Sequence, residues 1–319
     1  MSAATRIEWT QGDDGTSGAT WNPVTGCTKV SEGCTRCYAE AFAERWRGVP
    51  GHPFEQGFDI RLRPDRLRLP LRWRKARRVF VNSMSDLWVD AVPDEFIAAV
   101  WTTMFWTSAD GRPGAYPPEP QHTYQILTKR PGRMRSWVCR WGDPAQRAAW
   151  IEEAARRGWC DRQDVREAPS MPAVLPNAWL GVSAENRKWF GIRVPALLET
   201  PAAIRFVSCE PLLGRIDLDL GHERGDPACR PCPQVPDWVI IGGESGPGAR
   251  PMELAWAREI IGQCRRSGTA LFVKQLGTRW AQAAGRRGKG SQPRQWPADL
   301  RVRELPRSAP GRRMAGDAP

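Results

Sequence analysis

The sequence predicts an α/β protein: a parallel (β/α)6-type partial TIM barrel with loop insertions and a basic C-terminal tail. Three observations carry this reading. Six short apolar runs, rich in β-branched and aromatic residues, lie at 79–82, 123–127, 178–182, 204–207, 238–241 and 270–273. Helical patterns separate most of them, and strand–helix–strand order implies parallel strands joined by right-handed crossovers. Each run ends in a polar cluster, and the site of a parallel barrel lies at the C-terminal ends of its strands. A doubly wound open sheet is the competing arrangement for the same alternation.

The elements follow in order. Residues 1–20 are polar and Gly-rich and read as a loop, with room for one further strand before Cys27. Residues 38–48 place Ala, Phe and Trp at helical spacing and stop at Gly48. Further helices are predicted at 94–106, 132–138 with 144–157, 187–198 and 253–266. Insertions interrupt the pattern at 108–121, which is Pro-rich, and at 219–236. The barrel domain is therefore expected over 1–280. A loosely ordered extension is expected over 281–319, where Gly, Arg, Pro and Ser dominate apart from the run 300–305.

Charge and cysteine usage narrow the function. The chain of 319 residues carries a formal charge of +12. Segment 59–78 has nine basic and two acidic residues, and segment 281–319 has nine and three, so the remainder is near neutral. This suits a nucleic-acid partner, or a solvated helix face followed by a tail. No apolar run approaches the 18 or so residues of a membrane span, and no signal peptide is evident, which points to the cytoplasm and away from membranes. In that reducing compartment grouped cysteines bind metal more often than they pair.

Cys27, Cys34 and Cys37 form such a group. Three close thiolates can hold three irons of a four-iron cluster and leave the fourth iron open. A structural zinc site would usually add a fourth Cys or His nearby, and none follows within ten residues. A second pair, Cys229 and Cys232 with His222 upstream, supplies three of about four zinc ligands and reads as a zinc knuckle or as free thiols. The strand-end clusters bring Asn82, Ser83 and Asp86; Lys129; Ser183 and Glu185; Cys209 and Glu210; Gly242, Gly243 and Glu244; and Lys274 to the same mouth. The Gly242-Gly243 pair lets backbone approach a ligand closely.

The run Gly26-Cys27 through Gly33-Cys34-Thr35-Arg36-Cys37-Tyr38-Ala39-Glu40, with Lys129 and Glu210-Pro211, resembles the radical S-adenosylmethionine (SAM) superfamily. Within it the chain is similar to the branch containing spore photoproduct lyase. More closely it resembles a phage- and bacterium-associated three-cysteine-motif family, through Thr20–Pro23, Val81–Asp86, Leu127–Pro131, Gly181–Ser183, Cys209–Leu212 and Gly242–Gly246. The resemblance spans about residues 6–306. It implies a partial TIM barrel of the radical SAM kind and a [4Fe–4S] cluster on Cys27, Cys34 and Cys37, with SAM on the open iron. It also implies reductive cleavage to a 5′-deoxyadenosyl radical, with electrons from a donor such as ferredoxin or flavodoxin. The implied task is repair or modification of a nucleic acid. Asn82, Ser83 and Asp86 are then expected at the SAM amino-acid moiety, and Ser183 and Glu185 at its ribose. Lys129 and Glu210 are expected as catalytic residues at SAM or substrate, Glu244 at SAM or substrate, Lys274 at the substrate, and Cys209 as a catalytic hydrogen-atom donor. Two departures stand out. Six residues separate the first two cysteines where the superfamily has three, and Arg36 precedes the third where an aromatic is usual. The alternative function is a non-catalytic nucleic-acid-binding protein with a zinc or structural Fe–S site.

Overall fold

The computed structural model describes residues 4–5, 7–12, 15–108, 121–218 and 235–306. Its centre is a curled sheet of seven parallel strands: β1 (Ala19–Trp21), β4 (Arg78–Val81), β5 (Thr123–Thr128), β6 (Ala178–Ser183), β7 (Ile204–Cys209), β8 (Trp238–Gly242) and β9 (Ala270–Gln275). The strands cross the sheet in chain order without reversal, so the switch point of a doubly wound sheet is absent and the sheet forms a half-barrel. The additional strand is β1, which pairs with β4 through Ala19↔Val79 and Trp21↔Val81. An antiparallel pair, β2 (Val24–Thr25) and β3 (Arg61–Leu62), sits between them in sequence. Helices α1 (Tyr38–Ala43), α2 (Asp94–Phe105), α3 (Pro131–Trp141), α4 (Pro144–Arg156), α5 (Arg162–Glu167), α6 (Arg187–Leu198), α7 (Leu254–Ser267) and α8 (Thr278–Ala283) fill the connections. Local chemistry sets their ends. The Asn186 side chain accepts from the Trp189 amide to start α6, and α7 stops at Gly268, whose φ of 65° suits the left-handed cap.

Each strand alternates its two faces. Val79, Val81, Tyr124, Ile126, Val207, Val239, Ile241, Leu271 and Val273 point outward under the helices. Phe80, Trp179, Phe206, Trp238 and Phe272 point into the bore, where Trp9 from the N-terminal segment packs 4.8 Å from Phe80 and 6.1 Å from Trp238. Glycine makes this filling fit: a Cβ on Gly181 would come within 2.4 Å of the Phe206 ring. Part of the unusual tryptophan content is therefore spent on plugging one end of a barrel that does not close on itself.

Two sequence expectations change here. Residues 284–306 are not loose. Trp296 is 2% exposed and Leu300 is fully buried. The Val273 amide donates to the Val302 carbonyl at 2.8 Å, and the Glu304 amide to the Leu271 carbonyl at 2.7 Å. This segment covers the free edge of β9, which would otherwise offer unpaired backbone groups. Its few apolar residues anchor it despite a composition that reads as disordered. Nor is segment 59–78 a helix face: it runs as β3 and two short 3-10 turns. Much of its charge is engaged internally. Arg63 pairs with Asp65, Arg68 with Asp161 and Asp164, and Arg66 is 5% exposed, leaving Arg61, Arg72, Arg74 and Lys75 on the surface. Among the described residues no helix is long and apolar enough to cross a membrane. Cys229, Cys232 and His222, and nearly all of both insertions, lie outside the described residues.

Candidate active site

A cavity of about 580 Å³ opens at the C-terminal ends of the strands. Cys27, Cys34 and Cys37 line it, together with Asn82, Ser83, Asp86, Lys129, Ser183, Glu210, Gly243, Glu244 and Lys274. The three thiols are free and partly exposed, while Cys160, Cys209 and Cys264 are buried and Cys139 is exposed elsewhere. Among the described residues no group of three or more His, Cys, Asp and Glu side chains converges as ligands of a single ion.

The cysteine loop is latched across the mouth at four places. On the β4–β5 side, Arg130 donates to the Cys27 sulfur at 3.5 Å, to the Thr28 carbonyl at 2.8 Å and to Asp86 at 3.1 Å. Asp86 also accepts from the Thr128 hydroxyl at 2.8 Å and from the backbone amides of Lys129 and Trp88, both at 3.0 Å. At the end of β6, the Ser31 hydroxyl donates to Glu185 at 2.8 Å. Glu185 in turn accepts from Arg193 at 2.9 Å, and both are essentially fully buried. Glu32 accepts from Asn186 and from the Trp189 indole at the start of α6. Beyond β8, Arg36 donates to the Gly248 carbonyl and lies 3.5 Å from Glu244.

This latching sets the length of the loop and the place of Arg36. The six residues between Cys27 and Cys34 span the distance from Arg130 to Glu185, and Gly33 lies so close that a Cβ there would come within 2.1 Å of the Glu185 carboxylate. Arg36 is a tether to the β8 loop. Tyr38, on the other side of Cys37, lines the cavity and donates to the Ser83 carbonyl.

Electrostatics follow the pairing. Burial pushes the Cys27 thiol up to about 11, Asp86 adds to this, and Arg130 works the other way. Burial also raises the Glu244 carboxyl, but the hydrogen bonds and charge of Arg250, with Arg36 beyond, outweigh it and hold Glu244 below the usual range.

Three expected site residues do not reach the cavity. Glu185 is consumed as the seat of the cysteine loop, so it is not available to a ribose. Gly242 lies beside Glu210, which a Cβ would meet at 3.0 Å; it makes room for that side chain and contacts no ligand space of its own. Cys209 is fully buried and is not part of the cavity lining, so its sulfur does not face the ligand space. Strand alternation explains the last case: Ser208, one residue earlier, faces the bore and lines the cavity. Asp86 lines the cavity, yet its oxygens are taken by protein donors, so its role is to position Arg130. Arg130 itself, in contact with Cys27, is a site residue that strand-end reading passed over.

Residues 4–306 match the family described as Protein of unknown function (DUF5131). The chain belongs to the DUF5131 family. No curated protein and no solved structure matched it. The DUF5131 match covers the barrel, the cysteine loop and the edge-covering segment together, so these form one unit at the level of the family.

Proposed function

We propose that this DUF5131 protein is a radical SAM enzyme that binds a [4Fe–4S] cluster through Cys27, Cys34 and Cys37. The observation that carries the reading is that these three thiols, alone among the described cysteines, line one cavity at the strand ends of a parallel half-barrel. The donor set fits the group: each of three irons takes one thiolate, so the sulfurs need to surround a cavity and not converge on a point. Metal ligation would also hold Cys27 as a thiolate against the burial that keeps it protonated. Bound there with SAM on its open iron, and reduced by a ferredoxin- or flavodoxin-like donor, the cluster would supply a 5′-deoxyadenosyl radical able to take a hydrogen atom from a substrate.

The chain's own residues bind and orient. Asn82 is held at φ 57°, and its buried side-chain N–H2 has no protein partner, which leaves a donor beside the ligand space. Ser83 and Lys129 share that wall, and Glu210, Glu244 and Lys274 form the opposite charged rim. The substrate class we favour is a nucleic acid, supported by the net charge of +12 and by the exposed Arg61, Arg72, Arg74 and Lys75.

The test is anaerobic reconstitution with iron and sulfide, then incubation with SAM and dithionite. Formation of 5′-deoxyadenosine by the wild type, and none by Cys37→Ala, is the expected result. Four bound irons without any SAM cleavage would remove the catalytic reading. Zinc in place of iron would return the protein to the binding-protein alternative.

A further inference from the structure

The cavity does not stop at the cysteine loop; it runs down the bore to the aromatic plug. Its floor is Trp9 and Phe80, which line the cavity while most of each ring is packed in the plug, at 3% and 8% exposed. One layer above, Ser183 and Ser208 sit side by side on β6 and β7 in register. Both are small where Trp179, Phe206 and Trp238 fill the layers below, which leaves space at this level. The wall beyond carries Glu210 bonded to Lys274 at 2.7 Å, and Gln275, whose amide N–H2 donates to the Gly243 carbonyl at 2.8 Å. That bond fixes the amide orientation and leaves the buried Gln275 Oε1 without a partner.

Aromatic carbon below, hydroxyls at mid-depth and a mixed donor–acceptor edge above suit a guest that is apolar at its tip and polar at its edges. An aliphatic group would leave the hydroxyls and the Gln275 carbonyl unanswered, at the cost of buried unpaired polar groups. A free phosphate would not use the aromatic floor. We infer that the bore is a recognition site for a single planar heteroaromatic ring with hydrogen-bonding edges, namely one nucleobase, extruded from a nucleic acid and inserted toward Trp9 between Ser183 and Ser208. The inference rests on the proposed function for its placement beside the cysteine loop. Its recognition chemistry is independent of iron. Extrusion is the route by which any enzyme reaches an atom inside a stacked duplex, and a mispaired or unpaired base leaves the stack at least cost.

The experiment uses the full-length, iron-free protein and fluorescence anisotropy on short duplexes that differ only in carrying one unpaired base or an abasic site at the same position. The expected result is binding at least about tenfold tighter to the unpaired base, the size of one stacking contact. Ser208→Leu, which fills the bore, is expected to remove that preference while leaving iron uptake on anaerobic reconstitution unchanged; Ser183→Leu provides a second filling on the adjacent strand. Equal binding of the two duplexes by the wild type, with no binding of free nucleosides by equilibrium dialysis, would overturn the inference. So would a preference that survives both fillings in variants with wild-type circular dichroism. Nucleoside binding that both fillings abolish, without a duplex preference, would also overturn it, since the bore would then serve a free small molecule and not an extruded base. Failure of the wild type to take up iron would count against the cofactor reading alone, since the binding arms contain none.

Discussion

The two sides of the barrel mouth are built on different principles. Where the cysteine loop sits, charges are buried and paired: Glu185 with Arg193 at the end of β6, and Asp86 with Arg130 between β4 and β5, all at 12% side-chain exposure or less. Asp86 and Glu185 spend their oxygens on the protein itself. Across the cavity, Glu210 and Lys274 are 19% and 16% exposed, and the neighbouring Gln275 keeps an unused acceptor. The first side holds chain in place. The second has polar capacity left over, which is what a ligand requires.

That contrast can be broken by mutation. The largest stability effect is expected from Glu185→Ala, which strands the buried Arg193 charge and frees Ser31; loss of about 3–5 kcal/mol in urea unfolding, with loss of iron uptake, is the expected outcome. Glu185→Gln, which keeps an acceptor, should lose less. Gly33→Ala comes next. Its methyl group would collide with Glu185, so a cost of about 1–3 kcal/mol is expected, with iron stoichiometry after reconstitution falling in parallel. A Gly33→Ala protein with wild-type stability and iron content would show that the loop is not seated as described. Lys274→Met, on the opposite side, should change unfolding by about 1 kcal/mol or less, because its pair is only partly buried. Its 5′-deoxyadenosine formation should persist while substrate turnover is lost. The smallest effect on folding is expected from Arg36→Ala, whose side chain is 43% exposed: an unchanged melting curve, but faster proteolysis within the cysteine loop as one tether is lost.

How much of this was legible in the sequence depended on what each residue type can disclose. The six longer strands declared themselves because fully buried parallel strands are short apolar runs with abrupt polar ends. Strand β1 was less visible, since three residues carry too little pattern to separate from a loop. The cysteine loop was legible from spacing alone. The roles of Glu185 and Asp86 were not: a carboxylate at a strand end looks the same whether it meets a ligand or an arginine 8 or 44 residues away. Cys209 could have been excluded, because period-two alternation places Ser208, and therefore not Cys209, in the bore. The edge-covering segment was hidden by composition, its packing resting on Trp296, Leu300 and Val302 amid Gly and Arg.

The central claim is tested most directly by electron paramagnetic resonance of the anaerobically reconstituted, reduced protein with and without SAM, alongside iron, sulfide and zinc analysis. About four irons per chain, a cluster spectrum that SAM perturbs, and loss of both in Cys34→Ala are the expected results. A spectrum indifferent to SAM, or zinc without iron after reconstitution, would contradict it.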